Sequence, residues 1–269
     1  MATAAALTPI TVIGCGRLGL CTALCWEKVG YDVVGVDINE SYVNSLNDKS
    51  LKTTEPRVEE LLATSTNFRA TTDISEGIAH SDILFILVDT PSTGGSRHYD
   101  VSRLGNVLLK INKHKVRGKH VVVGCTVMPG YIANIGAHLL RDCEETSLSY
   151  NPEFIQQGDI IKGFLNPDMV LIGEGSVEAG DALEGIYQRC CERQPTISRM
   201  SPSSAEITKI SVNCFITTKI SFANMIGDIA DATPGQNQKR QLTIAAAAPN
   251  LPMFFFPCST SQAPINLPS

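Results

Sequence analysis

The chain has 269 residues, 43% of them hydrophobic, and a formal net charge of −5, enough apolar matter to build one large packed domain or two modest ones. Acidic and basic residues are interspersed, so no basic stripe offers itself to DNA or RNA, and an anionic ligand would have to be held by local geometry. Nine cysteines, an odd number without CxxC spacing and several inside apolar stretches, argue for reduced thiols and a cytoplasmic setting.

The N-terminal MATAAALTPITVIG lacks the basic and continuously apolar regions of a signal peptide and leads directly into a strand-like run. The longest apolar stretch, Leu242 to Phe256, is broken by Pro249, Asn250 and Pro252, which speaks against a membrane span.

Between Ile10 and Arg199, short β-branched runs alternate with amphipathic stretches, the pattern of a parallel sheet with crossover helices. The fold class expected is a doubly wound, Rossmann-type α/β parallel sheet. Strands are expected at Pro9 to Gly14, Asp32 to Asp37, Phe68 to Thr71, Asp82 to Val88, His120 to Cys125, Leu148 to Tyr150, Met169 to Gly173 and Thr196 to Arg199. Helices are expected at Arg17 to Val29, Val58 to Ala63, Asp73 to Ala79, Val101 to Asn112, Tyr131 to Arg141 and Val177 to Cys191. From Ser201 a single long helical stretch begins, with Ser and Pro suited to a helix N-terminus. After it, five prolines follow Gly235 without sustained periodicity, which predicts little order. The expected organisation is therefore a Rossmann domain at 1–200, the first helix of a second domain, cut short, at 201–231, and a divergent, disordered tail at 232–269.

The run TVIGCGRLGL places G-x-G-x-x-G straight after a strand and straight before a helix, the context that raises this motif above chance. Gly14 permits the tight turn, Gly16 lets the backbone approach a pyrophosphate, and Gly19 lets the helix pack close to its strand. The helix opening at Arg17 and Leu18 offers free N–H groups and the positive end of its dipole to the phosphates. Arg17 itself reads equally well as a phosphate contact or a solvated helix residue. Asp37 ends the next strand, 18 residues beyond Gly19, where its carboxylate can accept from ribose hydroxyls and would repel a 2′-phosphate, so NAD is expected rather than NADP. Two further strand ends, Val88-Asp89-Thr90-Pro91 and Cys125-Thr126-Val127-Met128-Pro129-Gly130, supply hydroxyls from Thr90 and Thr126 to the nicotinamide half of the cofactor or to a reacting oxygen. Turn chemistry alone would also account for Thr-Pro and Pro-Gly there.

In order along the chain, ITVIGCGRLGL, GVDIN, ILFILVDTPS, GCTVMPG, YNPEFIQQGDIIKGFLNPDMVLIG and SAEITKISVNCFITTKISFAN resemble the UDP-glucose/GDP-mannose dehydrogenase family over residues 8 to 231. NPEF followed by NPDMVLIG is the most specific part, and the K-x-x-x-N pair within the last helix is nearly as telling. The resemblance implies two successive hydride transfers from C6 of a nucleotide sugar such as UDP-glucose to NAD, the second through a cysteine thioester, giving the uronic acid. It implies that Glu153 is the general base, with Thr126 positioning a water, and that Lys209 and Asn213, four apart on one helical face, stabilise the oxyanion. It also implies that the backbone of Phe154, Ile155 and Gln156 faces the substrate diphosphate, and that the helix from Ser201 dimerises with a second copy. Read without the resemblance, Lys209 is a solvated helix lysine and Glu153 a loop carboxylate.

The chain departs from the family pattern in several places. Cys125 replaces a serine, Asp89 stands where asparagine or proline is usual and adds negative charge near the cofactor, and Gln157 replaces an acidic residue. The family's GxGFGGxCFPKD segment, which carries the nucleophilic cysteine, is absent from these residues, and Cys258 in FFFPCSTSQ lacks the surroundings that activate a thiolate. The expectation is a chain that holds the NAD site and part of the sugar site without the covalent chemistry, and that is inactive by itself. The competing readings are a 3-hydroxyacid dehydrogenase relative, against which NPEF argues, and a non-catalytic NAD-binding or regulatory paralogue.

Overall fold

The computed structural model describes residues 7–94, 99–155 and 158–232. It divides into two compact units, Met1–Lys209 and Ile210–Ser269.

The first unit is built on an eight-stranded sheet in the order β3-β2-β1-β4-β5-β6-β7-β8. Its strands are β1 (Ile10–Ile13), β2 (Val33–Val36), β3 (Phe68–Thr71), β4 (Ile83–Ile86), β5 (His120–Val123), β6 (Ser147–Tyr150), β7 (Val170–Gly173) and β8 (Ile197–Met200). All eight lie where the β-branched runs place them. The first six are parallel in the order 3-2-1-4-5-6, the doubly wound order of dinucleotide-binding folds. The expectation of a parallel sheet throughout needs one correction: β7 pairs antiparallel with β6 through Tyr150 and Gly173, and β8 follows β7. An apolar run buried on both faces reads the same in either direction, so the pattern carries no sign of the reversal.

The central strands β1, β2, β4 and β7 are buried at every position. Successive side chains enter opposite cores. Ile10, Val12, Phe85 and Val122 join α1 (Arg17–Lys28), α2 (Glu40–Asn47), α3 (Val58–Thr64), α7 (Ile160–Leu165) and α8 (Val177–Cys190) on one face. Ile13, Leu84, Ile86 and Val123 join α4 (Ile74–His80) and α5 (Ser102–Lys113) on the other. Trp26 anchors the first core, its ring 4.4 Å from Phe85 and 5.9 Å from Phe164.

Two helices are not among those expected. The first, α2, is capped by Asn39, whose side chain accepts from the Tyr42 N–H; the second, α7, is started by Glu55, whose Oε1 accepts from the Ile160 N–H at 2.7 Å. Where one α-helix is expected from Tyr131 to Arg141, the chain forms a π-helical turn, Tyr131–Gly136, running into the short α6, Ala137–Leu139. The long helix expected from Ser201 is α9, Pro202–Ala232, which extends into the second unit. Among the described residues no helix is long and apolar enough to cross a membrane, and the cysteines are free thiols. Cys258 and residues 233–269 lie outside the described residues.

Candidate functional site

The carboxyl ends of β1, β4, β5 and β6 stand side by side, stitched by backbone hydrogen bonds from Leu87 N to Ile13 O, Gly124 N to Ile86 O and Asn151 N to Val123 O. Every loop singled out for chemistry therefore leaves the sheet at one edge, where open α/β sheets bind ligands.

The glycine loop is shaped by contacts at two of its three glycines. Gly14 has φ +97°, and a Cβ there would sit 2.6 Å from Leu87 O; a Cβ on Gly19 would sit 1.9 Å from Gly14 O. At Gly16 a Cβ would meet nothing within 4 Å, so that glycine leaves open space on the exposed side of the loop. Helix α1 begins here with no side-chain cap and no acidic residue in its first turn, whereas Asn39, Asp73 and Ser176 cap α2, α4 and α8. Its first N–H groups are thus left for a ligand anion. Arg17 is exposed and Leu18 half-buried, and Arg17 lines a pocket of about 200 Å³ beside the loop together with Tyr42, Lys52 and Glu55.

Asp37 closes this half of the site. One carboxylate oxygen accepts from Cys15 N at 3.1 Å and the other from Asn39 N at 3.1 Å, so the acid is fixed against the glycine loop with lone pairs remaining for ribose hydroxyls. Tyr42 braces the same loop by donating to Cys15 O at 2.8 Å. The adjoining Ile38 is 89% exposed, an apolar face next to the ribose position that the motif reading did not single out. These groups fit a dinucleotide: open space at Gly16, an uncapped helix end and an oriented carboxylate.

Thr90 and Thr126 are both half-buried in the loops that follow β4 and β5. The extra charge of Asp89 is met by Arg103, Nη1 to Oδ2 2.8 Å. Cys125 is buried, and desolvation pushes its thiol up to about 12, so it fills the serine position as an inert apolar group.

The NPEF loop leaves β6. Glu153 is half-buried by accessible surface, yet its carboxyl is enclosed deeply enough that desolvation pushes it up to about 7, against the pull of a Tyr187 hydrogen bond and the Lys209 charge. Tyr187 Oη lies 3.1 Å from Glu153 Oε1 and 2.7 Å from Asn151 Oδ1. Lys209, 7% exposed, donates from Nζ to Glu153 O at 2.5 Å and lies 4.4 Å from the centre of the Phe154 ring. Burial lowers its pKa, partly offset by Glu153. An ammonium has three donors, so two remain after the bond to the backbone. Lys209 is thus a buried helix residue, contrary to the solvated alternative. Ile155 is half-buried, packed beside Gly163 of α7 against the core. Gln156 and Gln157 lie outside the described residues. Asn213 belongs to the second unit, where its carbonyl accepts from Thr217 Oγ1 at 2.9 Å.

Two contributors carry no motif signal. Tyr187 reads in sequence as one more apolar position of α8. Glu206, fully buried, sits in α9 and accepts from Gly130 N at 2.7 Å and Ile132 N at 2.8 Å, anchoring the end of the loop that carries Thr126.

Comparison with known proteins agrees with the fold. The profile of the UDP-glucose/GDP-mannose dehydrogenase family, NAD binding domain, matches residues 8–191, and that of the family's central domain matches 203–259. GDP-mannose 6-dehydrogenase of Pseudomonas savastanoi pv. phaseolicola is 34% identical over 234 residues, covering 83% of this chain and 53% of the relative. UDP-glucose 6-dehydrogenase AglM of Haloferax volcanii is 34% identical over 232 residues, covering 82% and 54%. A crystal structure of a ternary complex of GDP-mannose dehydrogenase from Pseudomonas aeruginosa superposes with a TM-score of 0.81 at 30% identity, covering 90% of this chain and 57% of that one. The chain spans about half the length of the curated relatives it matches.

Proposed function

The chain belongs to the UDP-glucose/GDP-mannose dehydrogenase family and carries that family's NAD-binding domain, and from this premise we propose that it supplies the cofactor half and part of the sugar half of a nucleotide-sugar 6-dehydrogenase. The observation that carries the reading is Glu153: a carboxyl pushed up to about 7, placed at the same sheet edge as the glycine loop. A base whose pKa lies near the working pH is the group proton abstraction from a hydroxyl requires.

Gly14, Gly16, Gly19 and the start of α1 hold the pyrophosphate, Asp37 the ribose, and Thr90 the nicotinamide half. NAD, when bound, supplies the hydride acceptor. Glu153 receives the proton of the C6 hydroxyl, directly or through a water positioned by Thr126, while the C6 hydrogen leaves as hydride, so that alcohol becomes aldehyde. Lys209 offers its remaining N–H groups to the developing oxyanion. The backbone at Phe154 and Ile155 faces the diphosphate. The substrate is a nucleoside diphosphate hexose with a free C6 hydroxyl, UDP-glucose being the first to try and GDP-mannose the second. The second oxidation needs a cysteine nucleophile, and the GxGFGGxC segment that would carry it is not among these residues. Exposed Phe215, Phe222 and Met225 on α9 support association with a second copy.

Isothermal titration with NAD, followed by an NADH absorbance assay with each sugar nucleotide, tests the reading. NAD binding without turnover to the uronic acid is expected. Uronic acid formation by these 269 residues would overturn the missing second step, and absence of NAD binding would overturn the reading as a whole.

A further inference from the structure

The hydrogen bonds around Tyr187 do not all close at once. Its hydroxyl is 2.7 Å from Asn151 Oδ1 and 3.1 Å from Glu153 Oε1. The Asn151 amide is oriented by its own donation, Nδ2 to Leu171 O at 2.9 Å, so its oxygen faces Tyr187 as an acceptor. Tyr187 and Asn151 are 3% and 2% exposed, which leaves little water to complete the set. Burial, followed by the Glu153 charge, raises the phenol's pKa well above its ordinary value, so the hydroxyl keeps its single proton with two acceptors in reach.

We propose that the Tyr187 hydroxyl is a two-position donor shared between Asn151 and Glu153, its orientation set by whether Glu153 carries a proton. When Glu153 is protonated, its O–H donates to Tyr187 Oη and Tyr187 donates to Asn151, satisfying every group. When Glu153 is ionised, the Tyr187 proton turns to the carboxylate, a charge-assisted bond, and the Asn151 oxygen loses its donor. Asn151 thereby competes with Glu153 for one hydrogen and favours the protonated carboxyl. The catalytic meaning of this rests on the reading of Glu153 as the acid-base group: proton uptake from substrate would return Tyr187 to Asn151 and restore a fully bonded cluster. The other titratable groups facing Glu153 are Lys209 from α9, on its backbone oxygen, and the thiols of Cys25, Cys190 and Cys191. Burial pushes Cys25 to about 12, Cys191 to about 11 and Cys190 upward as well, so all three are uncharged while Glu153 titrates.

The test is a 13C NMR titration of the full chain labelled at glutamate Cδ, with the Glu153 resonance assigned by Glu153→Gln. Tyr187→Phe removes the donor to the carboxylate, and the Glu153 midpoint should rise by about one pH unit. Asn151→Ala removes the competitor, and the midpoint should fall. In the Tyr187→Phe background, Asn151→Ala should leave the midpoint unmoved. Midpoints that shift in the same direction, or an Asn151 effect that survives loss of Tyr187, would overturn the shared proton. A variant that fails to fold leaves a measurement on the unaltered chain: the Cζ resonance of labelled Tyr187 should move with the same midpoint as Glu153, and a Tyr187 signal flat across that titration overturns the proposal. Neither measurement needs turnover. A Glu153 resonance indifferent to added NAD and UDP-glucose would sink the catalytic reading while leaving the shared proton standing.

Discussion

Replacing Glu153 by glutamine tests the central electrostatic claim through folding stability. The carboxyl is raised from an ordinary 4.5 to about 7, chiefly by burial. A group whose pKa is raised on folding binds its proton more tightly in the folded state, so its favourable contribution is present below the unfolded value and is lost as pH rises through the folded one. The gap is roughly 2.5 pH units, and at about 1.36 kcal/mol per unit it corresponds to about 3 kcal/mol of stability lost between pH 4.5 and pH 7. Glutamine carries no charge to desolvate. Urea unfolding of the two proteins at stepped pH should therefore give similar stabilities near pH 4.5, with Glu153→Gln more stable by about 3 kcal/mol at pH 8. A difference that is flat with pH, or that favours the parent chain as pH rises, would refute the argument that burial governs this carboxyl.

The glycine loop separates fold from ligand in a single pair of substitutions. Gly19→Ala drives a Cβ into Gly14 O and should cost several kcal/mol by thermal unfolding, of the order of an overpacked core. Gly16→Val meets no protein atom near its Cβ, so it should leave the melting temperature nearly unchanged while weakening NAD at least about tenfold by calorimetry, about 1.4 kcal/mol. Asp37→Ala removes the carboxylate beside the ribose position and should weaken NAD by about 1.5–3 kcal/mol, the worth of a hydrogen bond to a charged group, and narrow the preference over NADP; an unchanged NAD:NADP ratio would contradict that role. Trp26→Ala should destabilise by about 3–5 kcal/mol in denaturant titrations, because the ring is fully buried against Phe85 and Phe164.

Strands β1, β2, β4, β5 and β7 were legible because each is a short, mostly apolar run closed by Gly or Asp, and the glycine motif because steric necessity leaves few residues able to stand where Gly14 and Gly19 do. The reversal of β7 was not legible, since side-chain burial does not encode strand direction. Helix α2 was hidden by its polarity, with only Val43 and Leu46 buried, although Asn39 before Glu40 was a usable cap signal. Helix α7 was hidden for the opposite reason: in IIKGFL four of six residues are buried, so no periodicity remains. Among the candidate residues, Glu153 was singled out because it sits in a motif. Tyr187 acts through its hydroxyl and Glu206 through its two carboxylate oxygens, meeting groups tens of residues away, 34 for Tyr187 and Glu153 and 76 for Glu206 and Gly130, and no local pattern announces such a meeting.

The opening turns of α9 hold two loops with two residues three positions apart, Glu206 on Gly130 and Ile132, and Lys209 on Glu153. On a helix, residues three apart share a face, so the interval acts as a ruler between the Thr126 loop and the Glu153 loop. Inserting one residue between them would swing Lys209 about 100° around the axis, a single step of a 3.6-residue turn, while Glu206 kept its grip. The Thr126 loop would then remain docked and the Glu153 carbonyl would lose its partner, so the two loops can be uncoupled by changing spacing alone, without substituting any residue of either loop.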